Sequence, residues 1–462
     1  MDPALDEIRT IHIGFDDTDS INGKCTTHLA FKITSYLFYE RHVQFIDYPL
    51  LVRLNPNIPW KTRGNASVCL RIRSDYIPEI VEYIKNTIST QSAEDRNTNP
   101  GLAVLESNVI PNQIKQFTTK AMYDVLSVEE AEELAIKNNI SYLKFGNGRG
   151  IIGALAAIGC TLEGDHTYEA IAYRKNCSKG VRNLDRKKII KYNYQYFPFT
   201  FNNFDPSNNR ILVAPHGPDP IYCGIRGESP YHVVTYLMKI LHQANIEGFM
   251  VFRTNQATNM HLIKKRSLSS VNPHTAGYAK CFVSKNPKII KGGHVFFEIS
   301  DNDGFKSVAA VYEPTGMGKI AARLEVGDII DIGFGVTKVS NSQHSVLNIE
   351  YISIEYLTSK FTLENPKCLN CNKRMKSEGK NKGFQCEVCK SKSNSIKIKV
   401  PVPRDLCKGI YMPKLTAFRH LTKPLHRYGL EKTYLTIPNF SRPIYSNWIQ
   451  LFKPKKDSGG LI

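Results

Sequence analysis

Residues 11–30, IHIGFDDTDSINGKCTTHLA, decide how the N-terminal part of this chain folds. In residues 11–15, apolar and polar side chains alternate with the period of two that is typical of a β-strand. The strand leads directly into an acidic loop at residues 16–19. From residue 25 to residue 39, apolar side chains recur at helical spacing. We therefore predict a strand, a carboxylate-rich loop and a helix in direct succession.

The acidic loop contains Asp16, Asp17 and Asp19, three carboxylates within four residues. Such carboxylates repel one another unless a cation neutralises them, and Mg²⁺ binds through one or two carboxylates together with nucleotide phosphates. Residues 23–27, GKCTT, then place backbone N–H groups and two hydroxyls at a helix N-terminus, a position that favours phosphate. Asx turns and helix caps use the same residue types, so the pattern also fits a structural turn.

A glycine-rich loop, FGNGRG at residues 145–150, precedes an apolar helix of small residues predicted at 151–158. Glycines would let the backbone approach an anion, and Arg149 would add positive charge. A GxGxG pattern is also common in ordinary turns, so the spacing leaves both interpretations open.

Other polar residues are candidates for the same site. Arg63 with Asn65, and Arg226, follow Pro-rich stretches and could provide further loop contacts to a phosphate; ordinary turns explain them equally well. Asp165 and His166 fit either a general base with its orienting carboxylate or a polar turn.

The rest of the first 260 residues alternates predicted strands and helices, which indicates α/β units. Residues 91–100 are polar and are expected to form an exposed loop. Five short β runs between residues 270 and 358 predict a small Greek-key barrel of the OB type, although an SH3-like barrel would look nearly the same. The predicted helices are 76–88, 127–137 and 230–244, and the predicted strands are 44–54, 68–72, 168–173, 211–215 and 248–254.

Two CxxC pairs provide the most specific metal-binding signal in the chain. Cys368 and Cys371 are followed, after fourteen intervening residues, by Cys386 and Cys389. Four thiolates in this spacing can surround one Zn²⁺ tetrahedrally, and a fully occupied set of ligands makes the zinc structural. The alternative is a set of redox pairs or free thiols.

The positive charge is concentrated near the C-terminus. The whole chain has 61 basic and 42 acidic residues, a difference of +19. Residues 361–462 contain 21 basic and 6 acidic residues, so 21 − 6 = +15 lies there. The basic and aromatic stretch 418–428 could pair with phosphates and stack on bases, or could be a solvated helix face. We predict a polyanion-binding C-terminal part.

Length and composition narrow the class of protein. A chain of 462 residues suggests three or more domains, and 42% hydrophobic with 22% charged residues is typical of folded proteins. We expect no membrane span, since the longest nearly apolar run, 151–160, is half the roughly 20 residues required. Eleven cysteines and an acidic start without a signal-peptide pattern favour reduced thiols and a cytoplasmic location.

Five segments together resemble the archaeal isoleucine-tRNA 2-agmatinylcytidine synthetase family. They are GFDDTDSINGKCTTHLA (14–30), LVRLNPNIPWKTRGNA (51–66), FGNGRGIIGALAAIG (145–159), DHTYEAIAYR (165–174) and FRTNQATNMH (252–261). They occur in that order and precede the predicted barrel and zinc ribbon. The resemblance covers nearly the whole chain except residues 91–99 and those beyond about 430.

The resemblance implies an enzyme that uses ATP to join agmatine to the 2-carbon of the wobble cytidine of the isoleucine tRNA with a CAU anticodon. It implies a kinase-like α/β domain, a ferredoxin-like α+β domain, an OB-fold β-barrel and a zinc ribbon. We expect the kinase-like region at 1–195, although 61–120 could instead belong to the ferredoxin-like domain otherwise placed at 196–265. The OB-fold is expected at 270–358, the ribbon at 361–400 and a tRNA-binding extension at 401–462.

Individual residues receive roles from these patterns and from the resemblance. The phosphorylated threonine of the family corresponds to Thr26, and the Mg²⁺ ligands correspond to Asp16 and Asp19. A non-enzymatic nucleic-acid-binding protein built on the barrel and ribbon is the alternative. The remaining candidates are Asp17, Asp165 and His166 for catalysis; Thr18, Lys24, Thr27, Arg63, Asn65, Asn147, Gly148, Arg149, Gly150 and Arg226 for ATP; and Arg419, His420, Lys423, His426, Arg427 and Tyr428 for tRNA.

Overall fold

A computed structural model describes residues 8–62, 64–175, 182–215, 217–242, 246–338, 345–433 and 445–452. The helices are Thr26–Ser35 (α1), Ile77–Gln91 (α2), Asn112–Ala121 (α3), Val128–Lys137 (α4), Gly150–Gly159 (α5), Arg186–Gln195 (α6), Pro230–Ile240 (α7) and Gly318–Ala321 (α8). A π-helical turn, Tyr36–Glu40, extends α1, and short 3-10 turns lie at Met260–Leu262, Leu268–Ser270, Glu313–Thr315, Leu415–Ala417 and Leu425–Arg427.

The strands divide the chain into a large N-terminal sheet, a barrel and a ribbon. Those before residue 260 are Arg9–Asp16 (β1), Gln44–Phe45 (β2), Leu50–Arg53 (β3), Ala66–Ser74 (β4), Gly101–Glu106 (β5), Ser141–Lys144 (β6), Thr167–Arg174 (β7), Thr200–Phe201 (β8), Phe204–Asp205 (β9), Arg210–Ile211 (β10), Ile221–Gly227 (β11) and Ile246–Thr254 (β12). The later ones are Ala276–Ile289 (β13), Val295–Ser300 (β14), Lys306–Val311 (β15), Ile329–Lys338 (β16), Ser345–Tyr356 (β17), Lys360–Glu364 (β18), Lys376–Ser377 (β19), Phe384–Gln385 (β20), Lys392–Ser393 (β21), Ile398–Val402 (β22), Gly409–Tyr411 (β23) and Ile449–Leu451 (β24).

Among the described residues, one eleven-stranded sheet spans the whole N-terminal part. Its main path is β6-β5-β1-β4-β3-β12-β7-β11-β8, and β2 and β24 join at β4 and β12. Neighbouring strands are antiparallel except β3 and β12, which run parallel. Side chains alternate between two apolar cores along the first strands: Leu51 lies in one core, while Leu50 and Val52 lie in the other. Helices α1, α2, α6 and α7 contribute to the first core, and α3, α4 and α5 to the second.

Helix α5 packs unusually close to the sheet because glycines face each other at the contact. A Cβ on Gly101 would lie 2.1 Å from the Gly150 carbonyl carbon, and a Cβ on Gly14 would lie 2.0 Å from the Ala154 carbonyl oxygen. A side chain at either position would force the helix away from the sheet. The small-residue run that the sequence shows at 150–159 therefore fixes where the helix N-terminus lies.

The barrel and ribbon follow the sheet along the chain. Strands β15-β14-β13-β16-β17-β23 form a six-stranded sheet that closes through additional β15–β17 pairing. This confirms the five predicted β runs and adds a sixth short strand. Strands β19-β20-β21 form the sheet of the ribbon. The ribbon lies between the antiparallel strands β18 and β22, in which Glu364 lies opposite Ile398. It is thus an insertion between two strands of the barrel region.

The last described residues return to the N-terminal sheet. Strand β24 pairs with β12 through residues 449–451, and Trp448 is buried against Phe38, Phe45 and Tyr48. No distinctive pattern in the sequence indicated this return.

Two local predictions need correction. Residues 211–215 were predicted as a strand, but only Arg210–Ile211 is one, because the Pro-containing segment after it turns towards the site described below. The loop 91–100 was predicted to be exposed, yet Thr98 and Asn99 are buried, because the loop donates hydrogen bonds to the backbone and side chains of the acidic loop. Among the described helices, none has both the length and the apolar character needed to cross a bilayer.

Candidate active site

A cavity of about 470 Å³ lies where the acidic loop, the start of α1 and the start of α5 meet the strands β3, β7 and β11. Its size is within the range that holds a nucleotide or another small molecule. Its polar lining includes the carboxylates of the acidic loop, which we call the acidic wall, and a group around Arg53 and Arg226, which we call the cationic wall. The charged residues that line it are Asp16, Asp17, Asp19, Arg53, Lys61, Asp124, Arg149, Glu169, Asp219 and Arg226, and His420 joins them from the C-terminal segment.

Asp16 is the carboxylate of the acidic wall that lies against helix α5. It is the last residue of β1, and a Cβ on Gly153 of α5 would lie 1.8 Å from its Oδ2. Only glycine at 153 leaves room for this carboxylate beside the first turns of the helix. Burial and the neighbouring Asp17 raise the pKa of Asp16 well above its usual range. The fold therefore holds a carboxylate where ionisation is costly unless a cation is bound.

Asp17 connects the acidic wall to the loop at residues 97–99. Its backbone is in the left-handed region, with φ of 54°, which turns the chain sharply after β1. Its Oδ2 accepts a hydrogen bond from the backbone N–H of Asn99 at 2.9 Å, and its Oδ1 accepts one from the Thr62 hydroxyl at 3.3 Å. Burial raises the pKa of Asp17, although the Asn99 and Thr62 hydrogen bonds oppose the shift.

Asn99 also supports the glycine-rich loop, and sequence reasoning missed it. Its Oδ1 accepts a hydrogen bond from the backbone N–H of Asn147 at 2.9 Å, and a Cβ on Gly146, whose φ is 56°, would lie 2.2 Å from the same oxygen. One side chain thus ties the acidic loop to the loop that opens α5. The only sequence signal was an Asn-Pro dipeptide at 99–100, which is typical of many loops.

The start of α1 contributes two threonines to the site. Thr26 and Thr27 line the cavity, and the Thr18 hydroxyl donates a hydrogen bond to Thr26 Oγ1 at 3.1 Å. Tyr173 donates a hydrogen bond to the Thr27 carbonyl oxygen at 3.0 Å. Lys24, with φ of 61°, is exposed and does not line the cavity. The hydroxyls at 26 and 27 are therefore fixed close to the acidic loop.

The cationic wall centres on Arg53 at the end of β3. Its Nε is buried without a hydrogen-bond partner among the described residues. Burial lowers the pKa of Arg53 to about 10; nearby Arg226 acts in the same direction and Glu169 opposes the shift. Arg226 donates a hydrogen bond to Glu169 at 3.1 Å, so one carboxylate faces two guanidinium groups. The wall carries excess positive charge that suits an anion.

His420 reaches this wall from the C-terminal segment. Its Nδ1 lies 3.2 Å from Gln256 Oε1 and 3.4 Å from an Arg226 nitrogen. The guanidinium of Arg53 holds the pKa of His420 well below its usual range. His420 was predicted to bind RNA, because no local sequence pattern indicates that the C-terminal segment folds back to the cavity.

Trp60 lies between the main cavity and a second one of about 320 Å³. The Arg149 guanidinium lies over its ring at 4.3 Å, a cation–π contact. The lining of the second cavity includes the amide and carboxylate side chains of Asn97, Asn147 and Asp95. Trp60 was not among the predicted site residues, although a half-exposed tryptophan in a Pro-rich loop is typical of binding sites.

The four ribbon cysteines converge away from this cavity. Their four sulfurs lie within 4.8 Å of one another, and Sγ–Sγ distances are 3.4 Å for Cys368–Cys389, 3.2 Å for Cys371–Cys386 and 3.8 Å for Cys371–Cys389. Four sulfurs at the usual Zn–S distance are about 3.8 Å apart in a tetrahedron. The cluster therefore fits a zinc ion with no open position.

Comparison with known proteins gives the family. Family models described as the TiaS TCKD domain, the TiaS FLD domain and the TiaS C-terminal zinc ribbon domain match residues 12–80, 148–261 and 365–406. The tRNA 2-agmatinylcytidine synthetase TiaS of Pyrococcus horikoshii is 39% identical over 421 residues, which cover 90% of this chain and 96% of the relative. The enzyme of the same name from Cenarchaeum symbiosum is 35% identical over 432 residues, covering 93% and 95%. This chain belongs to the TiaS family.

Solved TiaS structures share the fold. A crystal structure of TiaS in complex with its isoleucine tRNA and ATP is 35% identical, has a TM-score of 0.80 and covers 91% of this chain and 97% of that chain. A complex of TiaS with the same tRNA, AMPCPP and agmatine is 33% identical with a TM-score of 0.78 and the same coverage. Mixed α/β architecture with a small barrel and a ribbon is thus a property of the family.

The structure brings most of the predicted ATP-site residues of this TiaS family member together. Asp16, Asp17, Asp19, Thr26 and Thr27 line the cavity. So do Asn65, Arg149 and Arg226, whereas Asn147 lines the second cavity. Thr18 contacts Thr26, Gly150 packs on Gly101, and Gly148 packs on Lys144 and Val128, so these three act through positioning. Arg63 lies outside the described residues.

Asp165 and His166 are not brought to the cavity. The Asp165 carboxylate accepts hydrogen bonds from Arg427 at 2.8 Å and 3.2 Å. His166 is buried, and its Nδ1 lies 2.8 Å from the Gly164 carbonyl oxygen. The structure pairs the carboxylate with an arginine from a distant part of the chain, and the catalytic role of this pair stays a prediction.

Much of the predicted RNA-binding stretch is used inside the protein. Arg427 is fully buried and pairs with Asp165 and Glu228. Lys423 pairs with Glu431 at 2.8 Å, and its backbone N–H donates to Asn259. The other four also make internal contacts: Arg419 with Asn57, His420 with Gln256, His426 with Phe197, and Tyr428 with Asn259. For Arg427 the structure shows an internal role, because acidic residues elsewhere in the chain neutralise it, and RNA binding by this stretch stays a prediction.

Proposed function

We propose that this protein joins agmatine to the 2-carbon of the wobble cytidine in the isoleucine tRNA with a CAU anticodon, at the expense of ATP. The observation that carries the proposal is one cavity lined both by the carboxylates of the acidic loop and by guanidinium groups. Membership of the TiaS family supports the choice of substrates, since related structures hold an isoleucine tRNA with ATP or with AMPCPP and agmatine.

The reaction explains why both walls are needed. The 2-oxygen of cytosine is a poor leaving group, and phosphorylation converts it into a phosphate that leaves well. The primary amine of agmatine then forms the C–N bond to the 2-carbon, the C–O bond breaks, and the amine loses its protons. The base must also leave its stack to enter the cavity. The protein therefore has to hold phosphates, an amine and an extruded base in one place.

The acidic wall would hold Mg²⁺. Asp16 and Asp19 are proposed as ligands because ionisation of the buried Asp16 is unfavourable without a cation, and Mg²⁺ supplies neutralisation of nucleotide phosphates in such sites. Asp17 would keep the loop in place through Asn99 and Thr62. Thr26 is proposed as the phosphorylated threonine, with Thr18 orienting its hydroxyl.

The cationic residues would hold the transferred phosphate. Arg53 has a buried Nε free of partners among the described residues, and Arg149 and Arg226 line the same cavity. Guanidinium groups bind phosphate oxygens through directed hydrogen bonds. Asn65 and Thr27 are proposed as further polar contacts of the nucleotide.

Domain assignment follows the same proposal. We propose a kinase-like region at residues 1–195, of which 61–120 could instead belong to the ferredoxin-like region, a ferredoxin-like region at 196–265, an OB-fold at 270–358, a structural zinc ribbon at 361–400 and an extension at 401–462. Continuous pairing from β6 to β8 supports treating the first two as one catalytic body. Because its proposed substrate is a tRNA, we propose that the protein acts in the cytoplasm.

The test is transfer of labelled agmatine to tRNA transcripts. The expected result is ATP-dependent incorporation into the isoleucine tRNA with a CAU anticodon. A matched transcript with U in place of the wobble C should remain unlabelled. Equal labelling of both transcripts, or labelling without ATP, would contradict the proposal.

A further inference from the structure

A basic and aromatic surface lies outside the cavity, on α6 and the segment that follows it. Lys187, Lys191 and Tyr194 are spaced i, i+4 and i+7, so they lie on one face of the helix. All three are exposed, and Tyr194 is 61% exposed. Phe197 and Phe199, 54% and 50% exposed, continue the surface after the helix ends. We call these five residues the α6 face.

The charge of the α6 face is not balanced locally. Helix α6 contains four basic and no acidic residues, and the acidic residue next to it, Asp185, caps its N-terminus through the backbone N–H of Lys188. None of the ion pairs among the described residues involves Lys187 or Lys191. Exposed aromatic rings beside unbalanced lysines match the two chemical features of a single strand of nucleic acid, phosphates and stackable bases.

The surface is also held in place. On the side of α6 that faces α7, Tyr192 and Tyr196 pack on Tyr236 with ring centroids 6.1 Å and 5.8 Å away. The Phe199 ring stacks on His232 at 4.4 Å with planes 5° apart. These contacts fix the helix and leave its outer face available to a partner.

The α6 face adjoins the cavity through the sheet. Strand β8 begins directly after Phe199 and pairs with β11, where Phe201 lies opposite Arg226. Arg226 lines the cavity, and adjacent strands are about 4.8 Å apart. The Phe199 carbonyl oxygen also accepts a hydrogen bond from the backbone N–H of Glu228 at 2.9 Å. The segment that follows α6 is therefore joined by backbone hydrogen bonds to the strand that carries Arg226.

We propose that the α6 face binds the unpaired anticodon-loop nucleotides that flank the reactive cytidine. Lys187 and Lys191 contact their phosphates, and the exposed rings of Tyr194, Phe197 and Phe199 stack on their bases. This inference rests on the proposed function, because it takes the extruded base to be that of the tRNA. Charge complementarity favours RNA over a second copy of this chain, whose matching face would also be positive.

The test uses the full-length protein with an anticodon stem–loop RNA and with whole tRNA. Lys187→Glu/Lys191→Glu is expected to weaken binding of both RNAs and to reduce the slope of log Kd against log salt concentration by about 1 to 2. Tyr194→Ala, which removes an exposed ring, is expected to weaken binding about 5- to 50-fold through loss of base stacking. Both variants should keep the wild-type KM for ATP.

The matched control is Lys32→Glu/Lys137→Glu, which makes the same charge change on exposed positions of α1 and α4. It is expected to change RNA affinity less than about twofold at physiological salt. Wild-type stem–loop affinity in both α6 variants would overturn the inference, as would concentration-dependent dimers that Tyr194→Ala disrupts. If the wild type transfers no agmatine, the proposed function fails instead, so the two failures are distinguishable.

Discussion

At the scale of single residues, the cavity holds charges that the protein itself leaves incompletely compensated. Asp16 lies against the backbone of α5, and Arg53 presents a buried Nε on the other wall. Each would be costly in a purely structural role, because a buried charge without a partner opposes folding. The cost is explained if substrates and a metal ion complete the site.

Asp16→Asn is expected to stabilise the ligand-free protein. Burial raises the pKa of Asp16 above its unfolded value, so its stabilising contribution is present below the unfolded pKa and is lost as pH rises through the folded pKa. The variant should therefore unfold at a higher Tm than the wild type at about pH 8, with a smaller difference at about pH 4. Millimolar Mg²⁺ should raise the Tm of the wild type only. A variant less stable than wild type at the higher pH would show that the loop is a structural turn.

Gly153→Ala tests the geometry of the same carboxylate. Its Cβ would lie 1.8 Å from Asp16 Oδ2, so the carboxylate must move. We expect a loss of about 10- to 100-fold in agmatine transfer with unchanged tRNA affinity, since small displacements at a reacting site have large effects. Gly318→Ala is the control, because its Cβ would meet no atom closer than 3.5 Å. Wild-type turnover in Gly153→Ala would exclude a metal-binding role for Asp16 in this position.

At the scale of elements, the ribbon should depend on its metal. It has a small apolar core of Cys368, Met375, Phe384 and Cys386, so zinc must supply most of its folding free energy. Cys386→Ser is expected to reduce bound zinc from about one ion per chain to near zero and to weaken tRNA binding. Cys407→Ser, at an exposed cysteine outside the cluster, should keep both properties. Elemental analysis and tRNA titration provide the measurements.

The C-terminal segment should depend on the ion pairs of Arg427 for its position, as the ribbon should depend on its metal. Removing its guanidinium leaves Asp165 and Glu228 without their buried partner. Arg427→Met should therefore cost about 3 kcal/mol or more in free energy of unfolding. It should also release the segment that carries His420 to the cavity, which limited proteolysis would detect. Lys408→Met, at an exposed position, is expected to cost less than about 0.5 kcal/mol. Equal stability of the two variants would contradict the structural role given to Arg427.

Local patterns predicted the elements better than the contacts between them. The capping box at Ser127 and the period-two runs of the barrel determine structure within a few residues, and the helix and strands formed as predicted. No local pattern predicts the roles of Asn99, Arg53 and Arg427, because their partners lie far away in the chain. Asn99 contacts Asn147, and Arg427 pairs with Asp165. The acidic loop and the cavity arginines Arg149 and Arg226 were predicted from their own chemistry, whereas Arg53 needed the structure.

At the scale of the whole molecule, the C-terminal part that carries most of the net charge also contributes to the fold. Residues beyond 360 carry most of the net charge, yet Gly409–Tyr411 completes the barrel, His420 lines the cavity and Ile449–Leu451 joins the N-terminal sheet. Truncation at 360 would therefore damage the fold as well as the tRNA-binding surface. The ribbon is the separable part, because β18 and β22 lie side by side at its base.

Replacing residues 365–397 by an Asn-Gly turn between β18 and β22 tests where the charge acts. The segment has nine basic and two acidic residues, so 9 − 2 = +7 is lost. We expect tRNA affinity to fall about 10-fold or more and the salt slope to decrease by about 2 or more, with the Tm of the N-terminal body unchanged. An unchanged salt slope would place the main tRNA contacts on the barrel or the N-terminal body.

The most direct test of the whole account is single-turnover modification of the wobble cytidine, followed by mass spectrometry of the digested tRNA. Wild-type protein with ATP, Mg²⁺ and agmatine should convert this nucleoside to one heavier by agmatine minus one water. Asp16→Asn should lower the rate at least about 100-fold while binding the same tRNA with unchanged affinity. Wild-type modification by Asp16→Asn, or no modification by the wild type, would contradict the account.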